Sequence, residues 1–127
     1  MVQDRLRDGK RIAELLSSEV HGAERGPLGR IAVTDADREV EPTEFGAYAY
    51  ALSLDGEKIA TVHVHPDRAH VAFRVQPDVA AQVGRARGLR TRPKAVEPPR
   101  TLVFVEDGAE VKRVAHVLRA VVEAVED

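Results

Sequence analysis

The apolar positions of this 127-residue chain change their period several times, and each change marks an element. In "DGKRIAELLSSEVH" (8–21), Ile12, Leu15, Leu16 and Val20 recur at three-to-four spacing, which predicts a helix that stops at Gly22. "GRIAVTDA" (29–36) reads as a short strand and "DREVEPTEFG" (37–46) as an acidic loop. "AYAYALSL" (47–54) and "EKIATVHV" (57–64) flank "DG", the strongest short hairpin signal. "HPDR" (65–68) makes a second turn, with Pro66 suited to its first central position, and "AHVAFRV" (69–75) follows as a strand. "PDVAAQVGRARG" (77–88) predicts a helix opened by proline and closed by Gly88. Three prolines in "LRTRPKAVEPPR" (89–100) argue against regular structure there. "TLVFVE" (101–106) is a buried-type strand. In "AEVKRVAHVLRAVVEAV" (109–125), Val111, Val114, Leu118, Val121 and Val125 form a helical stripe behind Asp107 as N-cap.

The order α-β-β-β-β-α-β-α predicts a single α+β domain over 1–127. The expected sheet is mainly antiparallel, with four to five strands, a meander over 47–75, and about three helices on one face.

Alternation along the meander raises the first chemical question. Three of five histidines fall within "TVHVHPDRAH" (61–70). If Val64 opposes Ala69, then His63 lies across from His70, and His65 shares their side. The opposite side collects Ala60, Val62, Val64, Ala69, Val71 and Phe73. Three imidazoles so placed lie within reach of one metal ion. The sequence supplies no carboxylate in these strands to orient them, and Arg74 on the same face opposes a cation. The expected reading is therefore a solvated sheet face with no metal or other cofactor. A metal site on His63, His65 and His70 is the alternative, and protonation of the three rings near pH 6 a third possibility. The first hairpin has two registers. A two-residue Asp55-Gly56 turn puts Tyr48, Tyr50, Leu52 and Ile59 on the histidine face, whereas a three-residue turn with a Gly56 bulge turns the tyrosines to the core. The second leaves one cleanly apolar face and is the one expected. Ala47, Ala49 and Ala51 then join the histidine face, which is small enough to pack against another subunit. The first register would instead give a face of tyrosines, histidines and arginine, closer to a single-strand RNA platform.

Composition narrows the classes. With 43% hydrophobic and 31% charged residues the chain can build one core and is not disordered. The absence of cysteine excludes disulfides, thiolate catalysis and cysteine-ligated metal centres. No apolar run is long enough for a membrane helix, and "MVQDRLRDGKR" lacks a signal-peptide core, so a cytosolic protein without a membrane partner is expected. Arginine outnumbers lysine by 15 to 4, which fits a GC-rich genome or selection against thermolabile residues.

A net charge of −2 gives no global attraction to polyanions, but the charge is segregated. Residues 84–100 hold Arg85, Arg87, Arg90, Arg92, Lys94 and Arg100 against Glu97 alone. These six are candidates for an anion site for phosphate, nucleotide or RNA backbone, with a solvated arginine-rich loop as the plain alternative. No glycine-rich phosphate loop accompanies them. Asp35, Asp37, Glu39, Glu41 and Glu44 alternate in the acidic loop. The glycine and helical flanks of an EF-hand are missing, so a solvated loop, or one paired with the basic segment, is expected. Ser17, Ser18 and Ser53 stand in no nucleophile motif. His116 lies between basic and apolar neighbours on the last helix, and His21 suits a helix C-terminus.

Taken together, "DGKRIAELLSSEV", "GPLGRIAVTDADREVEPTEFGAYAY" and "RPKAVEPPRTLVFVEDGAEVKRV" resemble a family of small uncharacterised proteins from halophilic archaea. The resemblance covers most of the chain. It carries no catalytic signature and implies no assigned activity. Proteins of halophiles are typically strongly acidic, and the near-balanced charge here suggests that the basic segment serves a purpose. The expected function is a non-enzymatic binding module. In it, the histidine face or the last helix meets a second subunit in a homodimer, and the basic segment meets an anionic partner such as nucleic acid. A metal-dependent enzyme at the three histidines is the competing class.

Overall fold

A computed structural model describes residues 6–23 and 26–126. Three helices, α1 (Gly9–His21), α2 (Pro77–Ala86) and α3 (Glu110–Glu126), accompany six strands: β1 (Ile31–Thr34), β2 (Ala47–Leu54), β3 (Glu57–Val64), β4 (Ala69–Phe73), β5 (Thr91–Lys94) and β6 (Arg100–Val105). A short 3-10 turn, Pro27–Arg30, leads into β1. The strands form one sheet in the order β1-β2-β3-β4-β6-β5, antiparallel throughout.

The α+β class, the predicted order and the meander hold, but the sheet has six strands rather than four to five. The additional strand is β5, inside the stretch expected to be irregular. Pro93 cannot donate to a ladder, and β5 lies at the sheet edge, bonded only to β6, where that loss is tolerated.

All three helices cover the same face. Ile12, Leu16 and Val20 of α1 and the α3 stripe of Val111, Val114, Leu118 and Val121 join Val62, Val64, Val71, Phe73, Val103 and Val105 of the sheet in one buried cluster. Each such side chain contributes about 1.5–3 kcal/mol when withdrawn from water, which makes this layer the main source of stability. Local caps fix the helices. The Asp8 carboxylate accepts the Arg11 N–H at 3.1 Å. At α3 the Asp107 carboxylate accepts the Glu110 N–H at 3.1 Å, while the Glu110 carboxylate accepts the Glu106 N–H at 2.8 Å. Gly9 allows α1 to dock on the β3–β4 turn. Its N–H donates to Pro66 O at 3.2 Å, and a Cβ there would lie 1.8 Å from the His65 carbonyl oxygen.

The two tyrosines part company, for a reason neither predicted register contains. The β2–β3 turn has two residues, Asp55 and Gly56, both at positive φ, with Leu54 opposite Glu57. A register shift then leaves Ile59 unpaired and returns Leu52 opposite Ala60 and Tyr50 opposite Val62, on the helix side. A second shift at Ala49 turns Tyr48 back opposite His63. Tyr50 is buried and donates its hydroxyl to Ala13 O at 2.7 Å, joining β2 to α1. Tyr48 stays on the histidine face and donates to Asp35 O at 2.8 Å. Two bulges thus do the work assigned to one turn.

Candidate functional site

The face turned away from the helices holds the unusual chemistry. The β3–β4 register is the one the polarity split predicts: Val64 opposite Ala69, Val62 opposite Val71, His63 opposite His70. The register of the six strands lays this open face out in rows. Thr34, Ala51, Thr61, Ala72, Leu102 and Arg92 form a middle row of mostly small residues. On one side of it lie Tyr48, His63, His70 and Phe104. On the other, Lys94 stands opposite Arg100, with Arg74 one strand away. Two contacts confirm the facing. Thr91 lies against Gly84 of α2, and Thr101 donates to Pro77 O at 2.7 Å. The odd positions of β5 and β6 therefore face the helices, and Arg92, Lys94, Arg100 and Leu102 face away.

The three histidines do converge, but they are not a solvated surface. His65 and His70 are only 3% and 6% exposed. The end of the acidic loop crosses over them as a strap, residues 42–46. Thr43 N–H donates to Val64 O at 3.3 Å, and Gly46 sits on the rings at φ +93°, where a Cβ would come within 2.7 Å of His70 Cε1. Only glycine fits that close approach at that backbone angle. The His63 and His70 rings stack with centroids 4.7 Å apart, and His70 also lies 5.5 Å from the Phe104 ring.

The hydrogen bonds fix the tautomers. The Glu44 carbonyl can only accept, so His65 donates Nδ1–H to it at 2.8 Å. His65 Nε2 is then an acceptor in the neutral ring, and His70 donates Nδ1–H to it at 2.8 Å. His63 Nε2 pairs with the Thr61 hydroxyl at 2.9 Å. Burial lowers the basicity of all three rings. His70 is pushed down to about 3, first by desolvation and then by His63, His65, Lys94 and Arg68. The cluster is a neutral brace that ties the strap to the sheet. A metal ion would need the His65 and His70 lone pairs to turn toward one point, whereas the His65 acceptor is engaged by His70. Among the described residues, no group of three or more His, Cys, Asp and Glu is arranged to hold a metal.

The six cations of the basic segment separate. Arg92, Lys94 and Arg100 lie exposed on the open face. Arg90 reaches Glu106 at 3.6 Å, and its guanidinium carbon lies 5.2 Å from the Phe104 centroid, with Arg68 at 5.7 Å. Arg85 and Arg87 belong to the C-terminal end of α2, in the helical layer, and do not join the others. Arg74, the residue after β4, joins the open-face set. Sequence alternation had placed it on this face, but nothing in the sequence showed β5 and β6 beside it. Among the described residues, Arg74, Arg92, Lys94 and Arg100 have no carboxylate within ion-pair distance. Nor does the acidic loop pair with the basic segment there. Among the described residues, the ion pair made by this acidic stretch is Asp35 with Lys58 at 2.9 Å.

Phe104 and Phe45 escaped attention in the sequence. Phe104 was readable only as part of a buried-type strand, and its place beside His70 needed the β4–β6 register. Phe45, inside an acidic loop, is 90% exposed at the crest of the strap. A separate groove of about 580 Å³ opens between α1 and residues 33–40, with Ala13, Ala49, Tyr50 and Val64 in its lining and Lys10, Glu14, Asp37 and Arg38 among its polar groups. His21 also borders it. His116, near Arg87 and Arg119, has its basicity lowered chiefly by desolvation.

No helix among the described residues is long and apolar enough to cross a membrane. The comparisons with curated proteins and with solved structures found no match. The family model described as "Family of unknown function (DUF7993)" matches residues 1–127, and the chain belongs to that family.

Proposed function

We propose that the protein is a non-enzymatic binding module whose open sheet face holds a phosphate-bearing polyanion, in the first place single-stranded nucleic acid. One observation carries this reading. Lys94 and Arg100 stand directly opposite each other on neighbouring strands, Arg74 and Arg92 flank them, and no carboxylate compensates them among the described residues. Like charges directly opposed in a sheet cost stability. A line of phosphates is the ligand chemistry that relieves that repulsion. A cytosolic setting and an origin among halophilic archaea belong to the same reading. The second rests on the sequence resemblance alone.

The test is the fluorescence anisotropy of a labelled single-stranded oligonucleotide. Binding is expected at low salt, with log affinity falling against log salt at a slope of about −3 for four phosphate contacts. Arg92→Gln, Lys94→Gln and Arg100→Gln combined should remove most of it. Arg85→Gln with Arg87→Gln, in the helical layer, should leave it unchanged. An α2 pair that matters as much as the open-face set, or no binding at low salt, would contradict the reading.

The competing reading, a metal-dependent enzyme on His63, His65 and His70, draws on the three gathered imidazoles. It requires the His65–His70 hydrogen bond to open. A zinc titration followed through the histidine Cε1–H signals decides it, since metal binding shifts all three together at one equivalent.

A further inference from the structure

The helix side of the sheet is not covered evenly. The groove of about 580 Å³ between α1 and residues 33–40 falls in the size range of small-molecule sites. The register shift at Ala49 shapes it. That bulge turns both Ala49 and Tyr50 to the helix side, and the Tyr50 ring stands between the sheet and α1 with its hydroxyl on Ala13 O at 2.7 Å. Ala13, Ala49, Tyr50 and Val64 are buried and close the base, while half-buried Val33 and exposed Ala36 leave an apolar wall open to solvent. Hydrogen bonds hold the loop wall in place. Asp37 N–H donates to Ala49 O at 2.7 Å, Val40 N–H donates to Asp37 O at 3.3 Å, and the Tyr48 hydroxyl donates to Asp35 O at 2.8 Å. The groove is thus built before anything enters it.

We infer that this groove binds a small aliphatic carboxylate, with its chain against Val33, Ala36 and Tyr50 and its carboxylate on the free donors of the rim. The rim selects the charge. Lys10, Ser17 and Ser18 come from one stripe of α1, and Arg38 comes from the facing loop. Lys10 and Arg38 have no ion pair among the described residues. The two carboxylates that line the groove are already engaged. Glu14 accepts from Arg11 at 3.1 Å, and Asp37 accepts the Glu39 N–H at 3.0 Å. The groups left to bond a ligand are therefore donors, and an anion supplies the matching acceptors. An amine would meet Lys10 and Arg38 with no unengaged carboxylate beside it, and a neutral alkane would leave both cations without a partner. The α1 stripe from Lys10 to His21 runs about 16 Å along the helix axis, long enough for an extended octanoate. The inference goes beyond the function proposed above and does not rest on it, because the groove and the cation row lie on opposite sides of the sheet.

The test is an amide chemical-shift titration of the full 15N-labelled chain with sodium octanoate. Octanol and octylammonium chloride serve as the neutral and cationic forms of the same chain. Octanoate is expected to shift Ala13, Ser17, Ala36, Arg38 and Ala49 together and to leave Arg92, Lys94 and Arg100 unmoved. Affinity should rise about two- to fourfold per added methylene from hexanoate to octanoate. Octanol should bind more weakly by about tenfold or more, and octylammonium should not bind. Lys10→Gln with Arg38→Gln should weaken octanoate by about tenfold or more and leave octanol unchanged, a split that a general loss of structure would not produce. Ala36→Trp, at an exposed wall position, should block both, so the idea remains testable if the charge variant fails to fold. The absence of groove shifts with octanoate would overturn the inference. So would octanol or octylammonium binding as tightly as octanoate, or octanoate binding indifferent to both variants. Shifts confined to the open-face cations would place the carboxylate elsewhere and also overturn it. Groove shifts that follow protein concentration without octanoate would make a second copy the occupant in place of the carboxylate. The oligonucleotide titration reads the other face of the sheet, so either reading can fail while the other stands.

Discussion

The two faces of one sheet follow different rules. On the helix side, Val62, Val71, Phe73 and Val103 are fully buried among aliphatic neighbours from α1 and α3, and the polar hydroxyl of Tyr50 has its partner in Ala13 O. On the open side, the same strands carry Thr61, His63, His70 and Arg100, with Arg74 just past the end of β4, and a loop rather than a helix covers the histidines. The helix side is built for stability. The open side accepts directly opposed cations and an exposed phenylalanine, neither of which helps the isolated chain fold. That contrast is what supports the binding role proposed for the open face.

The comparison breaks if the helix side proves cheap to disturb. Phe73→Ala should cost about 3–5 kcal/mol in urea unfolding, because it empties a fully buried ring site in a layer with little room to relax. A loss under about 1 kcal/mol would mean that this layer is not the close-packed core described.

Next in size is the pH response of the histidine brace. In the unfolded chain these rings titrate near 6.5, and in the fold His70 is held down to about 3. Protons therefore favour the unfolded chain. Stability is intact above about pH 6.5 and falls as the pH drops toward 3, by roughly 3 kcal/mol at pH 4 from His70 alone. His70 Cε1–H should show no titration step between pH 7 and pH 4 while the protein remains folded. A step near 6.5 would mean that the strap does not cover the ring.

Gly46→Ala should cost on the order of 2 kcal/mol, from a positive φ and from contact with His70 and His65. The smallest effect has the opposite sign. Lys94→Gln should stabilise the protein by about 0.5 kcal/mol by removing a like-charge pair across β5 and β6. Thermal melts at low salt would detect it, and a destabilisation would mean that Lys94 has a favourable partner within the fold.

Much of this was legible in the chain. The α1 and α3 stripes, the β3–β4 register and the pairing of His63 with His70 follow from period and polarity alone, because one-residue slips there would bury charge. β5 was not legible, since Pro93 and its proline neighbours read as irregular and only the edge position makes a strand tolerable. The bulges at Ile59 and Ala49 leave no mark in a run of alternating small and large residues, so the separation of Tyr48 from Tyr50 was invisible. The six basic residues read as one patch, but α2 packs on the helix side of the sheet while the even positions of β5 and β6 face the other side, which leaves Arg85 and Arg87 away from Arg92, Lys94 and Arg100. The burial of His65 and His70 depends on a loop whose acidic composition suggested solvent.

The most direct test of the central claim, that the open face rather than the helical layer is the binding surface, is an amide chemical-shift map. The 15N-labelled chain would be titrated with a single-stranded oligonucleotide at low salt. The account predicts shifts concentrated at Arg74, Arg92, Lys94, Arg100 and Leu102, with α1 and the α2 residues Arg85 and Ala86 unmoved. Shifts centred on α2 and α3, or spread evenly over every exposed cation, would contradict it.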